Sequence, residues 1–126
     1  MTIAPGARAS LSIIVEQEDT AERVGSGEVP VLATPRVLAL AEAATVQAVA
    51  DLLPPGQTSV GTRVELEHRA ASPVGARVEF TAELTEADGR RLVFSVAARD
   101  GDRLLATGTI ERVVVDTERF IAKVYG

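Results

Sequence analysis

Between Val37 and Ala50 the chain carries a single charge, Glu42, in a run otherwise made of Val, Leu, Ala, Thr and Gln. The run is punctuated as a helix from Pro35 to Leu53: Thr34 can cap it, Pro35 suits its first turn, and Pro54-Pro55-Gly56 stops it. At 100° per residue Val37, Leu38, Ala41, Thr45, Ala48, Val49 and Leu52 fall on one broad stripe. A helix so poor in charge does not suit a surface; it asks to be wrapped by protein on most sides.

The rest of the chain supplies a sheet to do so. Leu11 to Glu16 (LSIIVE) reads as a strand, and Gln17 to Pro30, acidic and carrying Gly-Ser-Gly, as a loop or lid. Even positions from Val60 to Ala70 (Val60, Thr62, Val64, Leu66, His68, Ala70) alternate with Arg63, Glu65, Glu67 and Arg69. From Val74 to Leu84 the alternation is stricter, with Arg77, Glu79, Thr81 and Glu83 facing out. Ala87-Asp88-Gly89 turns into Leu92 to Arg99, and Asp100-Gly101-Asp102 into Leu104 to Val115. The tail, Asp116 to Val124, reads as a short helix with Phe120, Ile121 and Val124 packed inward. The order defines a single α+β domain, residues 1–126, in which an antiparallel sheet curls around one helix. One helix covers one sheet face and leaves edges bare, so pairing with a second copy is expected.

Composition removes many chemistries. A net charge of -5 and 3% aromatic residues argue against nucleic acid or an anionic membrane as partner. With no cysteine and one histidine, His68, there is no thiolate or multi-histidine metal site. Glu16, Glu18, Asp19 and Glu22 read as a solvated loop, not a metal site. No phosphate-loop or dinucleotide glycine motif occurs, and Gly25-Ser26-Gly27 lacks the spacing of a nucleophile elbow. Met1 to Gln17 does not read as a signal peptide and no window is a membrane span, so the expected location is cytoplasmic.

Four residues stand out, each with two readings. Glu42 sits on an apolar flank beside Leu38, Thr45, Val46 and Val49: it is a working carboxylate, or it reaches solvent or an arginine. His68 shares a face with Val64 and Leu66, the face that should meet the helix. It is a satisfied core histidine or, with Glu42 converging on the same cleft, half of an acid/base pair. Thr34 is a cap, or a hydroxyl placed beside the positive end of the helix dipole where an oxyanion would be stabilised. Gly61 lets backbone approach a ligand, or marks a strand bulge.

Further motifs join these positions. Ala33-Thr34 precedes the helix, Leu40-x-Glu42-x-Ala44 lies on it, and Pro55-Gly56 follows it. Ser59-x-Gly61-Thr62 opens the next strand, and His68 leads into Ala-x-x-Pro-x-Gly; Gly89-Arg90-Arg91-Leu92, Gly108-Thr109-x-Glu111-Arg112 and Phe120-x-Ala122-Lys123-Val124 come later. In these features the chain resembles the fluoroacetyl-CoA thioesterase-like family of the hotdog fold. The resemblance implies a five-stranded antiparallel sheet around one long helix and a homodimer joined through the sheets, open to further pairing into a tetramer. It implies hydrolysis of a small or medium acyl-CoA without metal or cofactor. Thr34, Glu42 and His68 fall on the family's catalytic positions and Gly61 on its substrate-contacting strand, with the site at the subunit interface. Arg63, Arg69, Arg77, Arg90 and Arg91 are the candidates to meet the CoA phosphates. A hotdog enoyl-CoA hydratase would carry an Asp-x-x-Pro-x-His segment, which is lacking here. A non-catalytic acyl-CoA-binding module would not need the intact Thr34, Glu42 and His68 set.

Overall fold

The computed structural model describes residues 3–126. Its strands are β1 (Arg8–Ile14), β2 (Gln57–His68), β3 (Arg77–Asp88), β4 (Arg91–Asp100) and β5 (Arg103–Asp116). They form one antiparallel sheet in the order β1-β3-β4-β5-β2, so β1 and β2 are its edges. The helices are α1 (Ala21–Val24), α2 (Thr34–Val49) and α3 (Thr117–Tyr125), with one 3-10 turn at Gln17–Asp19. Helix α2 lies against the sheet, as its lack of charge requires.

Alternation fixes the core. Val78, Phe80, Ala82 and Leu84 of β3 are buried, as are Leu92, Phe94 and Val96 of β4. These side chains pack against Val37, Leu40, Ala41, Ala44 and Val49 of α2 in two clusters, one toward each end of the helix. The β3–β4 and β4–β5 hairpins turn at Gly89 and Gly101, with φ of 59° and 58°, where the Asp-Gly pairs supply the left-handed residue the turn demands.

Five features differ from expectation. β1 runs Arg8–Ile14 rather than Leu11 to Glu16, and α2 stops at Val49, leaving Leu52 in an exposed turn. Within one chain α2 is covered on one side only: Ala39, Val46 and Gln47 remain exposed. The tail helix forms, capped by Asp116, whose Oδ1 accepts the Arg119 N–H at 3.1 Å. Its apolar residues do not pack inward, however. Phe120, Ile121 and Val124 are 40 to 62% exposed, because α3 meets little besides the end of β5.

The fifth difference shapes the site. On β2, Gly61 stands opposite Arg112 and Arg63 opposite Glu111, so Thr62 is an extra residue, a β-bulge. A bulge exchanges the faces of a strand. Before it the odd positions Ser59 and Gly61 face α2; after it the even positions Leu66 and His68 do. The unbroken even-numbered face expected from Val60 to Ala70 is therefore two half-faces joined at Thr62.

Next to the bulge β2 and β5 lie close together. A Cβ added at Gly108 would come within 2.2 Å of the Glu65 carbonyl oxygen and 3.1 Å of Leu66. Backbone cannot yield as a side-chain tip can. Gly108→Ala is expected to lower stability by about 1–3 kcal/mol, the usual cost of overpacking. A thermal midpoint equal to the parent's would contradict this close approach.

Candidate active site

Thr34 is the first residue of α2, and Ala33, not Thr34, is its N-cap. Its hydroxyl is engaged elsewhere: Oγ1 lies 2.7 Å from His68 Nδ1, at the far end of β2. The hydroxyl donates to the ring nitrogen when that nitrogen is bare, and accepts from it once it carries the proton. The helix start is fastened by other groups. The Arg36 and Val37 N–H groups both donate to the Ala33 carbonyl at 3.0 Å, and Pro35 has none to give. Of the donors expected at the helix start, the Thr34 amide, which meets no backbone acceptor among the described residues, is the one left for an oxyanion.

Asp19 braces this corner. Its Oδ1 accepts from Arg36 Nε at 2.7 Å, its Oδ2 from the Glu16 N–H at 2.9 Å, and its carbonyl from the Ala33 N–H at 2.9 Å. Burial pushes its carboxyl pKa up, but the Glu16 N–H and the Arg36 guanidinium outweigh burial and hold it below the ordinary value. The acidic loop is thus not solvated throughout. Asp19 is a buried strut between the segment after β1 and the turn that presents Thr34.

His68 is half-buried, and burial lowers its pKa against an opposing contribution from the Ala70 backbone. Burial thus favours the uncharged ring. Its Nε2 is buried and meets no hydrogen-bond partner among the described residues. Thr34 and His68 line a cleft of about 230 Å³ together with Ala21, Ser26, Leu32 and Arg69. A larger cleft, of about 630 Å³, lies near the other end of α2 beside Gln47, Asp51 and Leu52 and contains none of the candidate residues.

Two turns along α2, about 12 Å by helical rise, Glu42 lies across Gly61. The strand-bulge reading of Gly61 and the arginine pairing of Glu42 hold here. Gly61 is at the bulge and is also a point of close approach: a Cβ there would sit 2.7 Å from Glu42 Oε2. Glu42 is paired with an arginine and is still accessible, its side chain 34% exposed. The arginine is Arg112 of β5, only 6% exposed, whose Nη1 donates to Glu42 Oε2 at 3.1 Å. Burial lowers the Arg112 pKa while the Glu42 charge and hydrogen bond raise it.

Sequence reading missed Arg112 as a site residue. A signal was present: Arg112 stands between Ile110 and Val114 at the inward positions of β5, where a charge needs a buried partner. The expected convergence of Glu42 and His68 on one cleft is not found within a single chain. The chain joins Thr34 to His68 and Glu42 to Gly61, and leaves roughly 20 Å of β2 between Gly61 and His68 at about 3.3 Å per residue.

The fold has solved counterparts. A hot-dog-like protein from Thermanaerovibrio acidaminovorans superposes with a TM-score of 0.87 at 29% identity, over 96% of this chain and 90% of its own. A variant of the fluoroacetyl-CoA-specific thioesterase FlK, solved in complex with fluoroacetate and CoA, does so with a TM-score of 0.86 at 35% identity, over 94% and 99%. A five-stranded antiparallel sheet with one long helix packed against it is the hotdog fold, which this chain shares with these proteins. The fluoroacetyl-CoA thioesterase of Streptantibioticus cattleyicolor is 46% identical over 94 residues, 75% of this chain and 68% of that protein. The family model described as fluoroacetyl-CoA-specific thioesterase matches residues 15–118, and the chain belongs to that family.

The state of His68 can be measured directly, because it is the chain's sole imidazole. Its NMR titration is expected to give a pKa below the ordinary 6.5. A folded-state value below the unfolded one means that the unfolded chain takes the proton first. Stability is then full above the unfolded value and falls as pH drops through the folded one. His68→Gln should flatten that part of the stability profile, and a pKa at or above 6.5 in the folded protein would contradict the burial described.

Proposed function

We propose that this protein hydrolyses CoA thioesters of small or medium acyl groups, with Glu42, His68 and Thr34 as the groups that carry the reaction. The observation behind this reading is the Glu42 carboxylate, anchored by one oxygen and half-exposed over a glycine at the open edge of the sheet. Anchoring Oε2 leaves Oε1 to react. Glu42 either attacks the acyl carbon, forming an anhydride that water then cleaves, or takes the proton from a water that attacks. Either way the carbon–sulfur bond breaks, the departing CoA sulfur receives a proton that His68 first takes up from water, and a carboxylic acid and CoA thiol result. The Thr34 hydroxyl orients the ring, and the Thr34 amide faces the developing oxyanion at the start of α2.

The two half-sites come together in a homodimer. β2 is an edge strand, exposed from Gly61 to Glu65, with Val64 38% exposed in the middle. Such an edge invites a second copy. Antiparallel pairing of two β2 strands about a two-fold axis near Val64 brings the Gly61 end of one copy to the His68 end of the other. Glu42 of one chain then works with His68 and Thr34 of its partner. A second copy would also cover the open side of α2.

Arg69 supports the assignment of CoA. Of the five arginines expected near its phosphates, Arg69 lines the cleft with His68, and its partner is the exposed Glu67 at 3.3 Å. Arg63 and Arg91 are held by Glu111, with Glu65 and Glu86 as second partners. The apolar part of the cleft lining, Ala21, Val31, Leu32, Ala70 and Ala71, is made of small and medium aliphatic side chains, which suits a short or medium acyl chain. No helix among the described residues is long and apolar enough to cross a membrane; a CoA ester as substrate fits a cytoplasmic location.

Free-thiol release from a panel of acyl-CoA esters tests the chemistry. Glu42→Ala and His68→Ala are each expected to lower kcat on the order of a hundredfold or more. Full activity in both would overturn the assignment, and tight binding without CoA release would favour a binding module. Mixing the two inactive variants should restore about a quarter of the parent activity, because half of the dimers then carry one intact shared site. No recovery from refolded mixtures would sink the shared site.

A further inference from the structure

Ser59 is buried, and Arg112 spends two of its three nitrogens on it: Nε donates to Ser59 Oγ and Nη2 to the Ser59 carbonyl, each at 2.8 Å. Two parallel bonds from a planar fork fix both the position and the plane of the guanidinium. The third nitrogen, Nη1, is thereby aimed at Glu42 Oε2. Register explains why this is possible. Ser59 and Gly61 lie two apart on β2 and face the same way, and Arg112 is the cross-strand neighbour of Gly61. The missing side chain at Gly61 leaves the space through which Arg112 and Glu42 meet.

We propose that Ser59 is a positioning residue for the hydrolysis. It locks Arg112, and Arg112 in turn holds Glu42 by one oxygen so that the other stays turned to the substrate. The inference rests on the assignment of Glu42 above and extends it by two residues. Without the serine hydroxyl, Nε loses its acceptor in a buried place, and the fork keeps one bond, to the carbonyl, about which it can pivot. A glutamate anchored through a pivoting partner no longer holds its free oxygen at bonding distance from the acyl carbon, and such misplacement lowers turnover rather than binding.

Steady-state kinetics on the full-length protein decides it. Ser59→Ala is expected to lower kcat on the order of tenfold with KM little changed, and Ser59→Thr, which keeps the hydroxyl, to recover most of the loss. In an Arg112→Lys background, which removes the fork, Ser59→Ala should cost almost nothing further. Equal losses from Ser59→Ala in both backgrounds would overturn the proposal, as would a parent-like kcat in Ser59→Ala. If Ser59→Ala proves too unstable to assay, Ser59→Cys, which keeps the volume and weakens the acceptor, should show the same fall in kcat; a parent-like kcat there overturns the proposal. The Glu42→Ala result keeps the two hypotheses apart. An active Glu42→Ala removes the catalytic assignment, whereas an inactive Glu42→Ala with a fully active Ser59→Ala removes only the role of Ser59.

Discussion

Everything at the site turns on one contact, that of the Glu42 carboxylate with the Arg112 guanidinium across the bare face of Gly61. A lone carboxylate on an apolar helix would be costly to keep charged, and a lone guanidinium at 6% exposure more so. Each makes the other tolerable. Breaking such a pair from one side leaves an uncompensated charge, so neither residue can change alone without strong loss. A side chain at Gly61 would force the two apart, since its Cβ would already lie 2.7 Å from Glu42 Oε2 and 3.6 Å from Arg112 Nη1. The glycine matters for the volume it leaves empty, and its backbone φ needs no special conformation.

The bulge at Thr62 makes that contact compatible with the other half of the site. Without the extra residue, β2 would keep one parity from Ser59 to His68, and either Gly61 or His68 would face away from α2. With it, an odd-numbered residue meets Glu42 and an even-numbered one meets Thr34. The irregular strand therefore serves two turns of the same helix. It also lies on the sheet edge, where a bulge costs the ladder least.

Much of this was legible in the residues. The helix, the hairpins at Gly89 and Gly101 and the inward row Val78, Phe80, Ala82 and Leu84 follow from periodicity and turn chemistry, because those depend on local rules. What escaped depends on partners distant in sequence. Thr34 has the composition of a cap, and only the proximity of His68, 34 residues on, shows its hydroxyl engaged otherwise. Asp19 resembles its acidic neighbours until the fold brings Arg36 and the Ala33 amide to it. The bulge leaves no mark in an alternation test, since Val60 and Thr62 are plausible on either face. The inward row of the tail helix was expected from amphipathicity, which identifies an apolar face but not whether anything covers it.

The two half-sites are supported by different means, and the difference follows from their chemistry. Glu42 must remain a carboxylate, so it is set against a buried cation that is itself fastened at two points. The role proposed for His68 is to give and take a proton near neutrality, and among the described residues no cation or carboxylate is paired with it. A neutral hydroxyl touches Nδ1, and partial burial favours the uncharged ring until a substrate or a partner chain changes its surroundings. The rigid support on that side goes instead to the backbone, through Asp19, Arg36 and the Ala33 carbonyl. Position is thus fixed by charge where charge is wanted and by main chain where it is not, which lets a single helix hold an anion and a titrating base two turns apart without tying one to the state of the other.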